Sequence, residues 1–453
     1  MKPENRSYSG VALRFVTLYI LLASLLVLPN SGCDNSSANN RRTFEIGQLK
    51  YMVITEDQAS KTGTVSVRAA SKKISGDFTI PAAVANKGIT YSVTLIGYGA
   101  FYNLKKLTSI VIPDSVTEIG EVAFCECTSL TSVTIGENVT SIGIFAFQNC
   151  SSLASIIIPD GVTAIGDGAF AGCVKLAGIS IPDSATSVGF GAFAGCSSLA
   201  SVTVGKSVTV IRTKAFGKCS SLTSIVIPDG VAEIWEKAFE GCSGLKSVTI
   251  GNGVTSIGED SFSGCVSLTS IVIPDGVTSI GEKAFYKCSS LASVTVGNGV
   301  TSIWDSAFYG CSSLTGIVIP DSVTEIWGLA FAQCSGLENV TIGKSVTSVG
   351  LGVFAGCSNL TSIIIPDSVT AIRKTAFARC SGLSSIVIPD SVASIGKEAF
   401  KDCSSLTDVY FKGNAPKLPG GNAFFAPSVI QYKPGTTGWT NPWDGRPTKE
   451  WVE

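Results

Sequence analysis

Leu107-Thr-Ser-Ile110-Val-Ile112-Pro-Asp-Ser-Val116-Thr-Glu-Ile119-Gly-Glu-Val-Ala123-Phe124-Cys-Glu-Cys127 decides the fold, because the chain repeats it. The opening Leu-x-x-Ile-x-Ile alternates apolar and polar at its end, as a short half-buried strand does. Pro113-Asp114 ends that strand, since proline has no amide hydrogen for a ladder. Val116 and Ile119 return the chain across a core, and Gly120 permits a turn. Ala123, Phe124 and Cys127 are spaced as on one helical turn.

Outward from this stretch, phenylalanine recurs every 23 residues from Phe101 to Phe400, fourteen times without an insertion. Three residues after each stands a cysteine, from Cys127 to Cys403; the first unit has Leu104 instead. Such periodicity marks a solenoid. One unit buries about five large apolar side chains, too little to offset the entropy of ordering 23 residues, so units must stack. A longer period lies within the first. Most strands alternate between Ile-Val-Ile-Pro-Asp (Ile225–Asp229, Ile271–Asp275, Ile317–Asp321) and Val-Thr-Ile/Val-Gly (Val248–Gly251, Val294–Gly297). The alternation slips at Ile156–Asp160 and Ile179–Asp183, and again near the end.

Leu-x-x-Ile-x-Ile on this period resembles a leucine-rich repeat. The longer string, through Val-x-x-Ile-Gly-x-x-Ala-Phe-x-x-Cys, resembles the BspA-like class of bacterial surface repeat, over about residues 74–432. The expected fold is a leucine-rich-repeat solenoid, β-rich, with one short parallel strand plus a helical or 3-10 turn per repeat. The expected organisation is a signal peptide (1–32), a polar tether (33–43), an N-terminal cap (44–97), the solenoid (98–408) and a C-terminal cap and tail (409–453). In the N-terminal cap, Phe78-Thr-Ile80-Pro81 reads as an off-register strand end. In the tail, Trp439, Trp443 and Trp451 read as capping residues, with a ligand-binding aromatic cluster as the alternative.

Lys2, Arg6 and Arg14 precede an apolar run from Phe15 to Leu28, matching a signal-peptide core and short of a spanning helix. Ser31-Gly32-Cys33 resembles the bacterial lipobox, in which Cys33 would carry the lipid, although Asn30 stands where that pattern prefers Leu. Ordinary signal-peptidase cleavage is the competing reading. Asp34 to Asn40 is polar and reads as a tether. The expected location is therefore exported, membrane-anchored as a lipoprotein, on the cell surface of an outer membrane, touching the membrane through the lipid alone.

Composition narrows the function. The chain has 453 residues, a formal charge of −1 and no histidine. Without histidine there is no Ser-His-Asp triad, Cys-His pair or His-ligated metal. No basic stripe suits a nucleic-acid backbone. No convergent carboxylate or lysine cluster breaks the repeat. The reading is no enzyme, no cofactor and no metal. Asp229, Asp275 and Asp321 lie two rungs apart, too far for one calcium ion, and read as turn caps. The thirteen cysteines in one column read as buried thiols, while Cys125 stands outside the column as an exposed, reactive thiol.

The solvent face of the strands (Thr108-Ser109-Val111, Ala200-Ser201-Thr203, Thr269-Ser270-Val272) is uniform and lacks binding anchors. One column, after the second Ile, is usually Gly (Gly120, Gly143, Gly258, Gly281) but becomes Arg212, Trp235, Trp304, Trp327 and Arg373. These five are the candidate partner-binding residues, since Trp and Arg dominate protein hot spots; packing between rungs is the alternative. The family resemblance implies protein–protein interaction, with adhesion to host matrix proteins such as fibronectin and fibrinogen. A structural or self-associating envelope protein is the second reading. Oligomeric state is not legible.

Overall fold

The computed structural model describes residues 42–425 and 429–451. Cys33, the leader and the tether lie outside them. Thr43–Glu453 forms one compact unit.

Nearly every 23-residue turn of the solenoid contributes two short strands, not one. Leu107–Val111 and its equivalents form one set of parallel ladders; Glu118–Ile119 and its equivalents form another. Register advances by one repeat per step: Ser224, Ile225, Val226 and Ile227 pair with Ser247, Val248, Thr249 and Ile250. In every strand the alternate residues Ile225 and Ile227 are buried while Val226 is exposed, the period-2 pattern read above.

The expected helical or 3-10 turn is absent: the described residues contain no helix. The three-residue spacing arises another way. Within Gly120–Cys127, Ala123, Cys125 and Cys127 donate their amide hydrogens to carbonyls three residues back, at Gly120, Val122 and Phe124. Val122, Phe124 and Glu126 instead donate to Ile144, Ala146 and Gln148 of the next rung. Alternate residues thus bond within and between rungs, which no helix allows. Positive φ at Val122 (59°) and Glu126 (63°) reverses the backbone at each step, a conformation that ends any helix.

The core follows the columns. Phe101 to Phe400 stack face to face with centroids 5.1–5.7 Å apart and planes within 14°, all fully buried. Beside them each ladder cysteine is buried and unbridged. Its thiol donates to the carbonyl of the preceding rung's Phe, as Cys150 does to Phe124 at 3.2 Å. Burial pushes the Cys196 and Cys242 thiols up to about 12. Cys125 corrects the expectation of a reactive thiol. It is 6% exposed, donates to Gln148 Oε1 at 3.6 Å, and burial pushes it up to about 12. A reactive cysteine needs the opposite shift.

The 46-residue alternation has a steric cause. A Cβ at Gly205 would lie 2.1 Å from the Pro182 carbonyl oxygen, and at Gly343 2.2 Å from that of Pro320. A rung stacked on a Pro-Asp turn therefore takes glycine. The aspartate then accepts the amide of the residue after that glycine: Asp229 from Asn252 and Asp275 from Asn298, each at 2.7 Å. These acids cap the turn above them, and among the described residues no group could hold a metal ion. Where two Pro-Asp rungs follow one another the ladder is interrupted. Ser155–Ile156 and Gly178–Ser180 belong to different sheets, and around Ile364 only an isolated bridge to Val387 remains.

Before the first full turn, Thr43–Ile46, Leu49–Asp57 and Thr62–Ala69 pair antiparallel, and Ile89–Ile96 joins them to Glu118–Ile119. Phe78 lies opposite Ile110 and its ring sits 6.4 Å from Phe101. At the far end Phe424 stacks on Phe400 at 4.7 Å. Trp439 and Trp443 close over Phe411 at 4.8 and 5.5 Å. Asp444 accepts the amides of Ala423 and Phe424.

Candidate functional site

The glycine column begins each series of turns, immediately after the buried Ile of the second strand. Its amide bonds to the rung below: Trp304 to Ile280 at 3.0 Å, Trp327 to Ile303 and Arg373 to Val349 at 2.9 Å. Its carbonyl accepts from three residues on, as Trp304 does from Ala307. Where the column holds glycine, rungs touch: a Cβ at Gly166 or Gly281 would stand 2.6 Å from the backbone below. A side chain can enter this column with the inter-rung amide bond kept: Trp304 and Trp327 bond at 3.0 and 2.9 Å, Gly281 at 2.9 Å.

It does so at the five candidate positions, and all are exposed. Trp304 and Trp327 stack at 5.2 Å with planes 4° apart, while 37% and 44% exposed. Trp235, 41% exposed, donates its indole N–H to Glu233 Oε2 at 2.6 Å. The Arg212 guanidinium lies 5.9 Å from the Trp235 ring centroid and 4.0 Å from Asp167. Arg373 Nε donates to Ser348 Oγ at 3.3 Å. The structure thus joins Arg212 to Trp235 and Trp304 to Trp327; Arg373 stands two rungs beyond. Gly281 and Gly350 flank the stacked pair in the same column, so no side chain of the column covers either outer indole face.

The column beside it carries charge in order. Glu236, Glu259, Glu282 and Asp305 occupy four consecutive rungs, and Lys374 and Lys397 two later ones. Desolvation first, then the neighbouring Glu236, raises the Glu259 carboxyl above its ordinary value. Lys237 and Lys283 pair with Glu236 and Glu282 at 2.9 and 2.6 Å. Arg373, Lys374 and Lys397 line a cavity of about 470 Å³ beside Ser394 and Pro419.

Sequence reading missed a second aromatic pair. Tyr286 and Tyr309 stack at 5.1 Å on adjacent rungs, with Lys287 Nζ 5.2 Å from the Tyr286 ring. Their signal was the same 23-residue spacing, one position after the ladder Phe. The uniform strand face is as exposed as expected, and most apolar at Ile157 (83% exposed) and Ile364 (82%).

Comparison with known proteins agrees with this architecture. Residues 94–223, 209–338 and 325–431 match the family described as BspA type leucine rich repeat region, in six copies. A leucine-rich repeat protein from Bacteroides ovatus is 33% identical, with a TM-score of 0.70, covering 81% of this chain and 94% of that one. A leucine rich cell surface protein from Faecalibacterium prausnitzii is 34% identical, with a TM-score of 0.50, covering 83% of this chain and 97% of that one. No curated protein matches.

Proposed function

The chain belongs to the BspA type leucine-rich repeat family, and from that premise we propose that it is a lipid-anchored cell-surface adhesin whose Trp and Arg column contacts an extracellular protein. Proteins of this repeat class are scaffolds for protein–protein interaction; the anchor at Cys33, the surface location and a host matrix partner of the fibronectin or fibrinogen kind are the proposal. The observation that carries it is the exposed, parallel-stacked Trp304–Trp327 pair. A column that is glycine on most rungs presents two indoles there, the side chain most enriched in binding hot spots. Arg212 over Trp235 repeats the device at 5.9 Å. The similar Faecalibacterium prausnitzii protein, itself a leucine rich cell surface protein, supports the location.

The test has two arms. Protease added to intact cells removes the protein, and the purified chain binds immobilised fibronectin or fibrinogen. Protection of the chain on intact cells contradicts the location, and binding to neither protein contradicts the matrix partner.

A further inference from the structure

The charges along the Trp edge are ordered about one rung. Gly328 follows Trp327. Glu282 stands 46 residues before it and Lys374 46 residues after; Glu259 stands 69 before and Lys397 69 after. With one rung per 23 residues and 5.1–5.7 Å per rung, Glu282 and Glu259 each have a lysine at the same distance on the other side, while Glu236 mirrors Gly420. The centre carries Trp304, Trp327 and Leu351, the last 49% exposed, with a single acid, Asp305, mirrored by Leu351. A two-fold axis through the Trp327 rung would lay Trp327 on the partner copy's Trp327, Trp304 on its Gly350, Glu282 on its Lys374, and Glu259 on its Lys397.

We propose that this edge is an isologous interface with a second copy of the chain, antiparallel and centred on Trp327 and Gly328. A C2 interface requires self-complementarity, which this order of acid, aromatic and base supplies. The acidic end is only partly neutralised within the chain, and the basic end has no ion pair among the described residues. In the edge positions of rungs 236–305, Glu236, Glu259, Asp260, Glu282 and Asp305 face only two bases, Lys237 and Lys283. Arg373, Lys374 and Lys397 form no ion pair among the described residues. The cavity they line is a socket for carboxylates from the other copy. Like charges on adjacent rungs repel, and opposite charges arriving together relieve both ends at once.

The inference rests, like the proposed function, on the premise that the Trp column is a protein contact; because the interface covers Trp327, the extracellular protein would meet the monomer in competition with the second copy. Sedimentation of the full chain, held soluble in a non-ionic detergent, tests it. The expected result is a dimer at low salt that weakens as salt screens the ends. Two charge-reversed variants, Lys374→Glu with Lys397→Glu and Glu259→Lys with Glu282→Lys, are each monomeric, with association weakened at least ~10-fold. Their equimolar mixture dimerises, because every reversed end meets its complement. Unchanged thermal melts of both variants show that they fold. A wild-type monomer, a dimer indifferent to both reversals, or a mixture that fails to associate overturns the interface. A monomer that binds fibronectin or fibrinogen leaves the proposed function standing; a dimer that binds neither does the reverse.

Discussion

At the scale of single residues, two columns hold the molecule together, and both were legible. Phe and Cys recur without slippage, so their burial follows from arithmetic. What spacing could not show is why each tolerates no polar substitute. The Phe rings stack on each other's faces inside an apolar core, and each thiol satisfies a buried Phe carbonyl. Cys125 was misread because position outside the column suggested exposure, whereas Gln148 of the next rung covers it. The positive-φ positions were legible only in hindsight, through the glycines that fill the same columns at Gly168, Gly172, Gly191 and Gly195. Val122 carries a β-branched side chain at φ 59°, a costly conformation. Val122→Gly is expected to stabilise the protein by roughly 1 kcal/mol, seen as a higher midpoint in urea; a lower midpoint would show that packing outweighs strain there.

At the scale of the rung, the first strand and the turn that ends it were read correctly, and the second half was not. Ala123, Phe124 and Cys127 have helical spacing, but consecutive β-turns also bond across three residues. Only the alternation of bonds within and between rungs separates the two, and that depends on a neighbour the local sequence does not contain. The 46-residue alternation was visible as a pattern; its cause, a Pro carbonyl pressed against the next rung's glycine, needed coordinates. Gly251→Ala would place a Cβ 2.6 Å from Pro228 and Asp229 backbone atoms. It should cost about 1–3 kcal/mol. Gly161→Ala, whose nearest contact is 3.5 Å, should be nearly neutral. Equal unfolding midpoints for the two variants would contradict the steric account.

At the scale of the whole molecule, regularity multiplies small effects. Burial raises the ladder thiols, Cys127, Cys288 and Cys403 to about 12 among them, against about 9 for the free group. A raised folded value means the protonated form is favoured in the fold. The associated stability is complete below about pH 9 and is lost as pH climbs toward 12, because the unfolded chain then binds fewer protons. The chain should therefore unfold steeply with alkali in that window, followed by circular dichroism, and replacing Cys196, Cys242 and Cys288 with Ala should flatten the transition. A transition equally steep in that variant would place the alkaline sensitivity elsewhere.

The same regularity made the fold easy to read and the partner hard to name, since the strand face repeats itself. The departures in one glycine column, Arg212, Trp235, Trp304, Trp327 and Arg373, were legible as departures. Their pairing and the charge order beside them were not, because both depend on which rungs become neighbours. The account's central claim is that this column makes the contact with the extracellular protein. The direct measurement is the affinity of the wild-type chain and of Trp304→Ala with Trp327→Ala for whichever matrix protein is captured. The account predicts a loss of about 2 kcal/mol or more, roughly thirtyfold in Kd, with the thermal melt unchanged. An unchanged Kd would contradict it and move the contact to the strand face.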